Sequence, residues 1–416
     1  MRLKLKIFIL TILVIGLNGC NKDTTVPIPS AGPNSIMKET HPLNETSKLI
    51  MEGVYQVTSG SDFFGDQVIV KWNRTSLSIS NKDGKHFILD VGHLDSVIFI
   101  QGYWRNGYTD GTGLISMYIA REEGGTTIMT GNGNQKIIMR GAYGKENAIP
   151  DQSLVLEYLR PFSDKAKNSN CYILAHRSGG RTSDRMPVSE NCIAMINYTE
   201  KLGSTGIEID VRLSKDGVPF LYHDSDINTR LTQKCPLAGP IENFTWGQLT
   251  TFIRLIHGET IPTLEEALNF TIDSTLLRFV YLDMKANRDA MSKVVPIQYR
   301  ALQRAKEKGR DIIIVVGIPS TDVLNDLMTY PNYTSIPSLC ELTVDDVHMV
   351  NSKVWAPRWT LGTQNDLVQQ MHNEGRLAVC WTIDEPLWIK EYIENGLFDG
   401  LLTNYPYVVA YYHYIQ

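Results

Sequence analysis

Hydrophobic and polar positions alternate most sharply between Gly206 and Asp224, in the run Gly-Ile-Glu-Ile-Asp-Val-Arg-Leu-Ser-Lys-Asp-Gly-Val-Pro-Phe-Leu-Tyr-His-Asp. Side chains of a strand alternate faces, so Ile207, Ile209 and Val211 share one face while Glu208 and Asp210 share the other. Lys215-Asp216-Gly217 predicts a tight turn, with Gly217 supplying the positive φ such turns require. A second run follows, in which Phe220 and Tyr222 oppose Leu221 and His223. Two acids on one face of a buried strand repel each other and are expensive to desolvate unpaired, so this pattern calls for a cation.

On either side of this stretch the pattern differs. Residues 47–160 hold short apolar-polar runs at Gln67–Trp72, Ser76–Ser80, His86–Val91, Val97–Tyr103, Gly113–Ala120 and Lys136–Arg140. Turn signals such as Lys82-Asp83-Gly84, Asn106-Gly107 and Asp110-Gly111 separate them, which predicts an all-β sandwich or small barrel. His86 and His93 stand alone there and read as structural, and Tyr103, Trp104 and Tyr108 read as core. Beyond Asn170 strand-like runs alternate with helical ones. Strands are expected at Cys171–His176, Gly206–Asp224, Leu277–Met284, Asp311–Val316, Ile336–Leu339, Val354–Ala356, Leu377–Thr382 and Gly400–Thr403. Helices are expected at Ser189–Leu202 with Ser189 as N-cap, Thr263–Thr271 with Thr263 as N-cap, Ser292–Lys308, Thr321–Met328, Gln364–Glu374 and Pro386–Asn395. Repeated β-α alternation predicts a parallel sheet closed into a (β/α)8 barrel. An open doubly wound sheet is the alternative, but no glycine-rich phosphate fingerprint follows the first strand.

The first 45 residues fall outside both patterns. Arg2, Lys4 and Lys6 precede an apolar run from Ile7 to Leu17, too short to span a membrane but suited to a signal peptide. The ending Leu17-Asn18-Gly19-Cys20 resembles a bacterial lipoprotein signal, which implies that Cys20 carries the lipid and that the protein sits in the cell envelope, on the periplasmic face or the cell surface. Pro27, Pro29, Pro33 and Pro42 among Ser, Thr, Asn and Gly predict a disordered tether. The expected organisation is therefore signal 1–20, tether 21–45, all-β domain 46–162 and (β/α)8 domain 163–416. Composition adds constraints. The chain is 43% hydrophobic and 20% charged with a net charge of −5, so a core is available to each domain and no basic field invites nucleic acid. Cys20 aside, Cys171, Cys192, Cys235, Cys340 and Cys380 are sparse, lack metal-ligand spacing and read as buried thiols.

Candidate chemistry collects where a parallel barrel places its active site, at the C-terminal ends of the strands. His176 and Arg177 end the first strand, Glu208 and Asp210 the second and His223-Asp224 the third. Asp283 and Lys285 share a face at the end of the fourth, and Trp381 ends a late one. Three carboxylates suit a hard divalent cation such as Mg2+ or Ca2+, and the ligand types argue against structural zinc. Two histidines with a metal, an arginine and a lysine describe phosphoryl transfer: cations hold the phosphate and imidazoles move protons. Every candidate lies after Asn170, so the second domain is expected to carry the activity alone.

Residues 171–406 resemble the glycerophosphodiester phosphodiesterase family in a series of motifs in order. The family's opening His-Arg-Gly and Pro-Glu-Asn-Thr stand here as His176-Arg177-Ser178 and Ser189-Glu190-Asn191-Cys192. Glu-x-Asp-Val is Glu208 to Val211, Lys-Asp-Gly-x-Pro is Lys215 to Pro219, His-Asp is His223-Asp224, and Ile-Pro-Thr-Leu-Glu-Glu is Ile261 to Glu266. The late Trp-Thr-Val-Asn is Trp381-Thr382-Ile383-Asp384, and the closing Gly-x-x-Thr-Asp-x-Pro is Gly400 to Pro406 with Asn404 at the Asp position. The resemblance implies a metal-dependent hydrolase releasing glycerol phosphate and an alcohol. It implies Glu208, Asp210 and Asp283 as metal ligands and His176 and His223 as the acid–base pair. It further implies Arg177 and Lys285 at the phosphate and Trp381 facing the substrate. Asp283 for the usual Glu, Ser178 for Gly and Asn404 for Asp depart from the pattern and read as altered substrate preference. Two other readings use the same residues: a surface-binding lipoprotein with an inactive barrel, and a phospholipase-type lyase that forms a cyclic phosphate.

Overall fold

The computed structural model describes residues 28–30, 35–133, 136–169, 171–286 and 289–416. The signal segment, Cys20 and residues 21–27 and 31–34 of the expected tether lie outside the described residues. Residues 35–45 depart from the tether expectation, because they have partners on the first domain. Ser35 donates to the Gln101 side chain at 2.6 Å, and His41 exchanges backbone hydrogen bonds with His93. Asn44 then caps the helix Glu45–Met51 by accepting from Ser47 N at 2.8 Å.

Of the sandwich and barrel predicted for the first domain, the barrel forms. Strands Gly53–Ser59, Gln67–Asn73, Ser76–Ser80, Lys85–Leu94, Val97–Asn106, Thr112–Ile119, Ile138–Tyr143 and Gln152–Arg160 pair antiparallel in chain order and close on themselves. Their inward residues, including Tyr55, Val70, Leu77, Phe87, Ile100 and Met139, form its core. Gly102 permits one close strand approach, since a Cβ there would stand 2.1 Å from Ile88 O.

The second domain is a parallel barrel of Tyr172–Ala175, Gly206–Leu213, Phe279–Met284, Ile313–Ile318, Ser338–Cys340, Val354–Trp355, Leu377–Cys380 and Gly400–Thr403, closed by the pairing of the last strand with the first. Side-chain alternation sorts its residues. Ile207, Ile209 and Val211 pack outward under the helices, whereas Leu174, Phe279, Tyr281, Leu339 and Leu402 fill the interior. Helix Leu264–Ser274 starts as expected, with Thr263 and Glu266 in a reciprocal capping box.

Two local expectations fail. Pro219–Leu221 is not a third barrel strand; it pairs antiparallel with Gly206–Leu213, Val211 opposite Leu221. The turn at Gly217 (φ +80) is far too short for the crossover a parallel pair demands. The third barrel strand is therefore Phe279–Met284. The helix expected from Ser189 begins at Ile193, capped by Cys192 Sγ. Asn191 lies in the left-handed region (φ +56), and the Ser189 hydroxyl is taken by Glu259 at 2.6 Å.

The two barrels pack through polar aromatic contacts. His86 stacks on Tyr407 at 3.9 Å, the Tyr103 and Tyr198 hydroxyls meet at 2.9 Å, and buried Arg105 donates to Arg185 O at 2.8 Å. Trp104 is core, as expected, but Tyr103 and Tyr108 face the second barrel. The five described cysteines are free; Cys192, Cys340 and Cys380 are buried, and Cys171 and Cys235 half-buried. Among the described residues no helix is long and apolar enough to cross a membrane.

Candidate active site

Register builds the centre of the site. Strands Gly206–Leu213 and Phe279–Met284 run parallel with Asp210 level with Asp283, so the two carboxylates stand side by side, one turn of alternation above Glu208. One ligand oxygen from each of the three lies within 4.8 Å of the others. Each acid spends its other oxygen on a protein donor. Glu208 Oε2 accepts from Arg177 N at 2.7 Å, Asp210 Oδ2 from Asn191 Nδ2 at 2.6 Å, and Asp283 Oδ2 from Lys285 Nζ at 2.5 Å. The remaining oxygens, Glu208 Oε1, Asp210 Oδ1 and Asp283 Oδ1, are buried without a hydrogen-bond partner. Lys285 Nζ also approaches Asp210 Oδ1 at 3.4 Å. Burial, then the neighbouring Asp210, pushes the Glu208 carboxyl well up, and burial pushes Asp283 up against the pull of Lys285. Burial opposes ionisation of Asp210 too, but Lys285, His223, Arg177 and His176 together hold it below the ordinary range. Three buried acids, each with one oxygen free of hydrogen bonds, form a hard, oxygen-only donor set that fits a divalent cation.

The histidines enter from two sides. His176 follows the first barrel strand, its Nδ1 2.8 Å from Asn404 Oδ1 and its Nε2 3.8 Å from Glu208 Oε2. Burial, then Arg177, pushes its imidazole down to about 4, so it is neutral near pH 7. His223 follows the antiparallel arm instead of a barrel strand. Its Nδ1 lies 2.7 Å from Asp224 Oδ1 and its Nε2 accepts from Arg177 Nη2 at 2.9 Å. Arg230 and Asn228 hold Asp224 from the far side. Arg177 occupies left-handed backbone (φ +51), as does Ser178 (φ +66), the position where the family motif has glycine. That backbone bend aims the guanidinium between Glu190 Oε1 at 2.9 Å and His223.

His176, Arg177, Glu208, Asp210, His223, Asp283 and Lys285 thus form one contact network. Trp381 is held by separate contacts: its Nε1–H donates to Ala356 O at 2.7 Å, and the Arg358 guanidinium lies over its ring at 4.9 Å. Glu190, Asn191, Asp384 and Asn404 act as supports: Glu190 accepts from Arg177 and from Thr182 N, Asn191 donates to Asp210, and Asp384 accepts from Asn404, which faces His176. Glu341, just past Ser338–Cys340, accepts from the Tyr281 hydroxyl and is pushed up to about 8 by burial and by Asp283. A single acid after a three-residue strand leaves no periodic signal, so only barrel closure reveals it.

A parallel barrel with two imidazoles, an acidic cluster and two cations at its mouth is an enzyme scaffold suited to phosphate esters. Residues 176–408 match the model of the glycerophosphoryl diester phosphodiesterase family, more than half of the chain, and the chain belongs to that family. The first barrel precedes the matched region. Among relatives, the probable glycerophosphodiester phosphodiesterase 2 of Mycobacterium tuberculosis is 26% identical over 248 residues, 56% of this chain and 86% of the relative. The glycerophosphodiester phosphodiesterase of Caldanaerobacter subterraneus is 25% identical over 247 residues, 56% of this chain and 94% of the relative. A crystal structure of a glycerophosphodiester phosphodiesterase from Parabacteroides distasonis covers 58% of this chain and 96% of its own, at 21% identity and a TM-score of 0.46.

Proposed function

We propose that the second barrel hydrolyses glycerophosphodiesters to a glycerol phosphate and an alcohol, with a divalent ion and with His176 and His223 dividing the proton transfers. The observation that carries this reading is the buried cluster of Glu208, Asp210 and Asp283, one ligand oxygen of each within 4.8 Å of the others, with His176 Nε2 3.8 Å from Glu208 Oε2 and His223 joined to the cluster through Arg177. Those residues would hold Mg2+ or Ca2+, which when bound supplies Lewis-acid polarisation of the phosphate. Asp283 is one methylene shorter than the Glu of the family motif and stands level with Asp210 in the strand register.

The proton work falls to the chain's own groups. Neutral His176, with Nδ1 facing Asn404, keeps the Nε2 lone pair for the proton of an attacking water. His223, its Nδ1 backed by Asp224, takes a proton from solvent on Nε2 once Arg177 has turned to the phosphate and passes it to the departing alkoxide as the phosphorus–oxygen bond breaks. Arg177 covers that Nε2 in the free protein. A phosphate oxygen offers it a charged acceptor in exchange, which uncovers the acid when substrate arrives. Lys285 supplies the second cation at the phosphate.

Following 31P spectra of glycerophosphocholine turnover tests the reading. Glycerol phosphate should appear with added divalent ion and cease in excess chelator. Accumulation of a cyclic phosphate would make the enzyme a lyase, and full activity in chelator would remove the metal. We also propose lipid attachment at Cys20 and a cell-envelope location, supported by the basic start, apolar run and cysteine of residues 1–20. Incorporation of labelled fatty acid should vanish in Cys20→Ala; persistent label would refute it.

A further inference from the structure

We propose that Asp384 and Asn404 form one positioning unit that fixes His176 as the Nδ1–H tautomer, and that Tyr108 of the first barrel anchors this unit; the functional part rests on the assignment of His176 to proton transfer. Asn404 is buried, and its side-chain orientation is decided by chemistry. Its backbone N–H donates to Asp384 Oδ1 at 2.8 Å, and its Nδ2 donates to Asp384 Oδ2 at 2.7 Å. Thr403 adds its hydroxyl to Asp384 Oδ1 at 3.2 Å. An ionised carboxylate only accepts, so the amide nitrogen must face Asp384 and Oδ1 must face His176. An amide oxygen 2.8 Å from Nδ1 in turn requires a proton on Nδ1. The Nε2 lone pair is thereby left on the Glu208 side of the ring. The charge on Asp384 thus dictates, through one amide, which nitrogen of His176 is free.

The sequence bears a trace of this coupling. In the family motifs quoted above the first of these positions is Asn and the second Asp; here both are exchanged. One acceptor-only group and one amide remain, so the pair keeps its hydrogen bond while the carboxylate moves one residue away from the imidazole.

Tyr108 reaches the unit from the other domain. It lies in the turn between strands Val97–Asn106 and Thr112–Ile119, and its hydroxyl donates to Asp384 O at 2.8 Å. Its ring packs on Tyr405, the neighbour of Asn404, with centroids 4.4 Å apart. The same turn is fastened to the second barrel by the Asp110–Arg185 ion pair, and Arg105 donates to Arg185 O. Through Tyr108 the first barrel thus touches the segment that carries Asp384, which bears on the expectation that the second domain carries the activity alone.

Full-length Asp384→Asn, Asn404→Asp, the double exchange and Tyr108→Phe test the unit. Asp384→Asn sets amide nitrogen against amide nitrogen, so Asn404 turns over and forces the Nε2–H tautomer. Asn404→Asp sets two carboxylates together. Each should lower kcat on the order of 10²-fold with little change in KM, as loss of a group supporting the active imidazole does. The double exchange rebuilds every hydrogen bond and should recover to within about 3-fold of the parent, a non-additivity that independent structural damage does not produce. Tyr108→Phe keeps the ring and should lower kcat about 3- to 10-fold, with circular dichroism unchanged. Histidine 15N spectra read the tautomer without turnover: His176, assigned by its loss in His176→Ala, should be Nδ1–H in the parent and the double exchange and Nε2–H in Asp384→Asn. A double exchange no better than the worse single variant, or an unchanged His176 tautomer in Asp384→Asn, overturns the unit. An unchanged kcat in Tyr108→Phe overturns the role of the first barrel. If the parent turns over no glycerophosphodiester, the functional reading fails while the tautomer spectra still decide this one.

Discussion

Lys285→Met asks how much charge the acidic cluster carries before any divalent ion binds. The change keeps the apolar stem and removes an ammonium 2.5 Å from Asp283 Oδ2 and 3.4 Å from Asp210 Oδ1. At an effective dielectric of about 20, a unit pair at the longer separation is worth roughly 5 kcal/mol gross. Desolvation of the ammonium offsets much of that, and breaking a buried pair by removing one partner costs about 3–5 kcal/mol net. Two features place this case at the low end. Lys285 keeps 26% of its side-chain exposure, so solvent already screens it. Glu208 and Asp283, both pushed up by burial, can relieve the strain by taking protons. The expected loss is about 3 kcal/mol in chelator near neutral pH. Urea unfolding followed by tryptophan fluorescence reads it as a lower midpoint at an unchanged slope. Excess Mg2+ or Ca2+ should restore part of it, because an ion at about 100 times its dissociation constant adds about 2.7 kcal/mol. A loss below about 0.5 kcal/mol in chelator, the scale of an ordinary surface change, would refute the picture of an ionised cluster neutralised by Lys285.

His176→Ala and His223→Ala should each lower kcat by about 10²-fold or more, and the double variant by much less than the product. A p-nitrophenyl ester, whose leaving group needs no proton, should rescue His223→Ala alone; rescue of His176→Ala instead would reverse the two roles. His86 lies stacked under Tyr407, and burial, then Arg105, pushes its imidazole down to about 3. The folded protein therefore binds fewer protons there than the unfolded chain, so the stability it lends is full above about pH 6.5 and is lost as pH falls from there to about 3. By pH 5 that loss is about 2 kcal/mol, and His86→Phe should remove this part of the acid sensitivity in urea melts at pH 7.5 and 5. Parallel pH profiles of the two proteins would show that His86 does not titrate across the domain contact.

The period of the pattern made most strands legible because alternation is local. Ile207, Ile209 and Val211 pack outward and Glu208 and Asp210 inward, as their spacing required. The Thr263 capping box was legible for the same reason: donor and acceptor are three residues apart. Direction was harder. Pro219–Leu221 has the composition of a barrel strand, and only the length of the preceding turn separates a hairpin arm from a parallel neighbour. Ser189 looked like an N-cap because Ser favours that position, but Asn191 is drawn to Asp210 and bends the chain first. Asp283 could be placed beside Asp210 only once the register was known.

What local pattern could not carry is the partnership of the two barrels. An aromatic residue in a strand packs with the same chemistry whether the opposite wall belongs to its own domain or the next, so Tyr103 and Tyr108 carried no mark of a destination outside their own core. The distinction lies in their hydroxyls. Tyr103 needs Tyr198 and Tyr108 needs the carbonyl of Asp384, because a phenol leaves the water only where its polar end finds a partner. Arg105 follows the same logic through Nη2, which donates to Arg185 O, whereas buried His86 meets the second barrel only as a ring stacked on Tyr407. Each of these contacts joins a residue of the first barrel to one of the second, and two of them, Tyr108 to Asp384 and His86 to Tyr407, reach the segments on either side of Asn404. Polar ends such as the Tyr103 and Tyr108 hydroxyls and Arg105 Nη2, which find their partners on the second barrel, therefore make the domain contact part of the folding of the first.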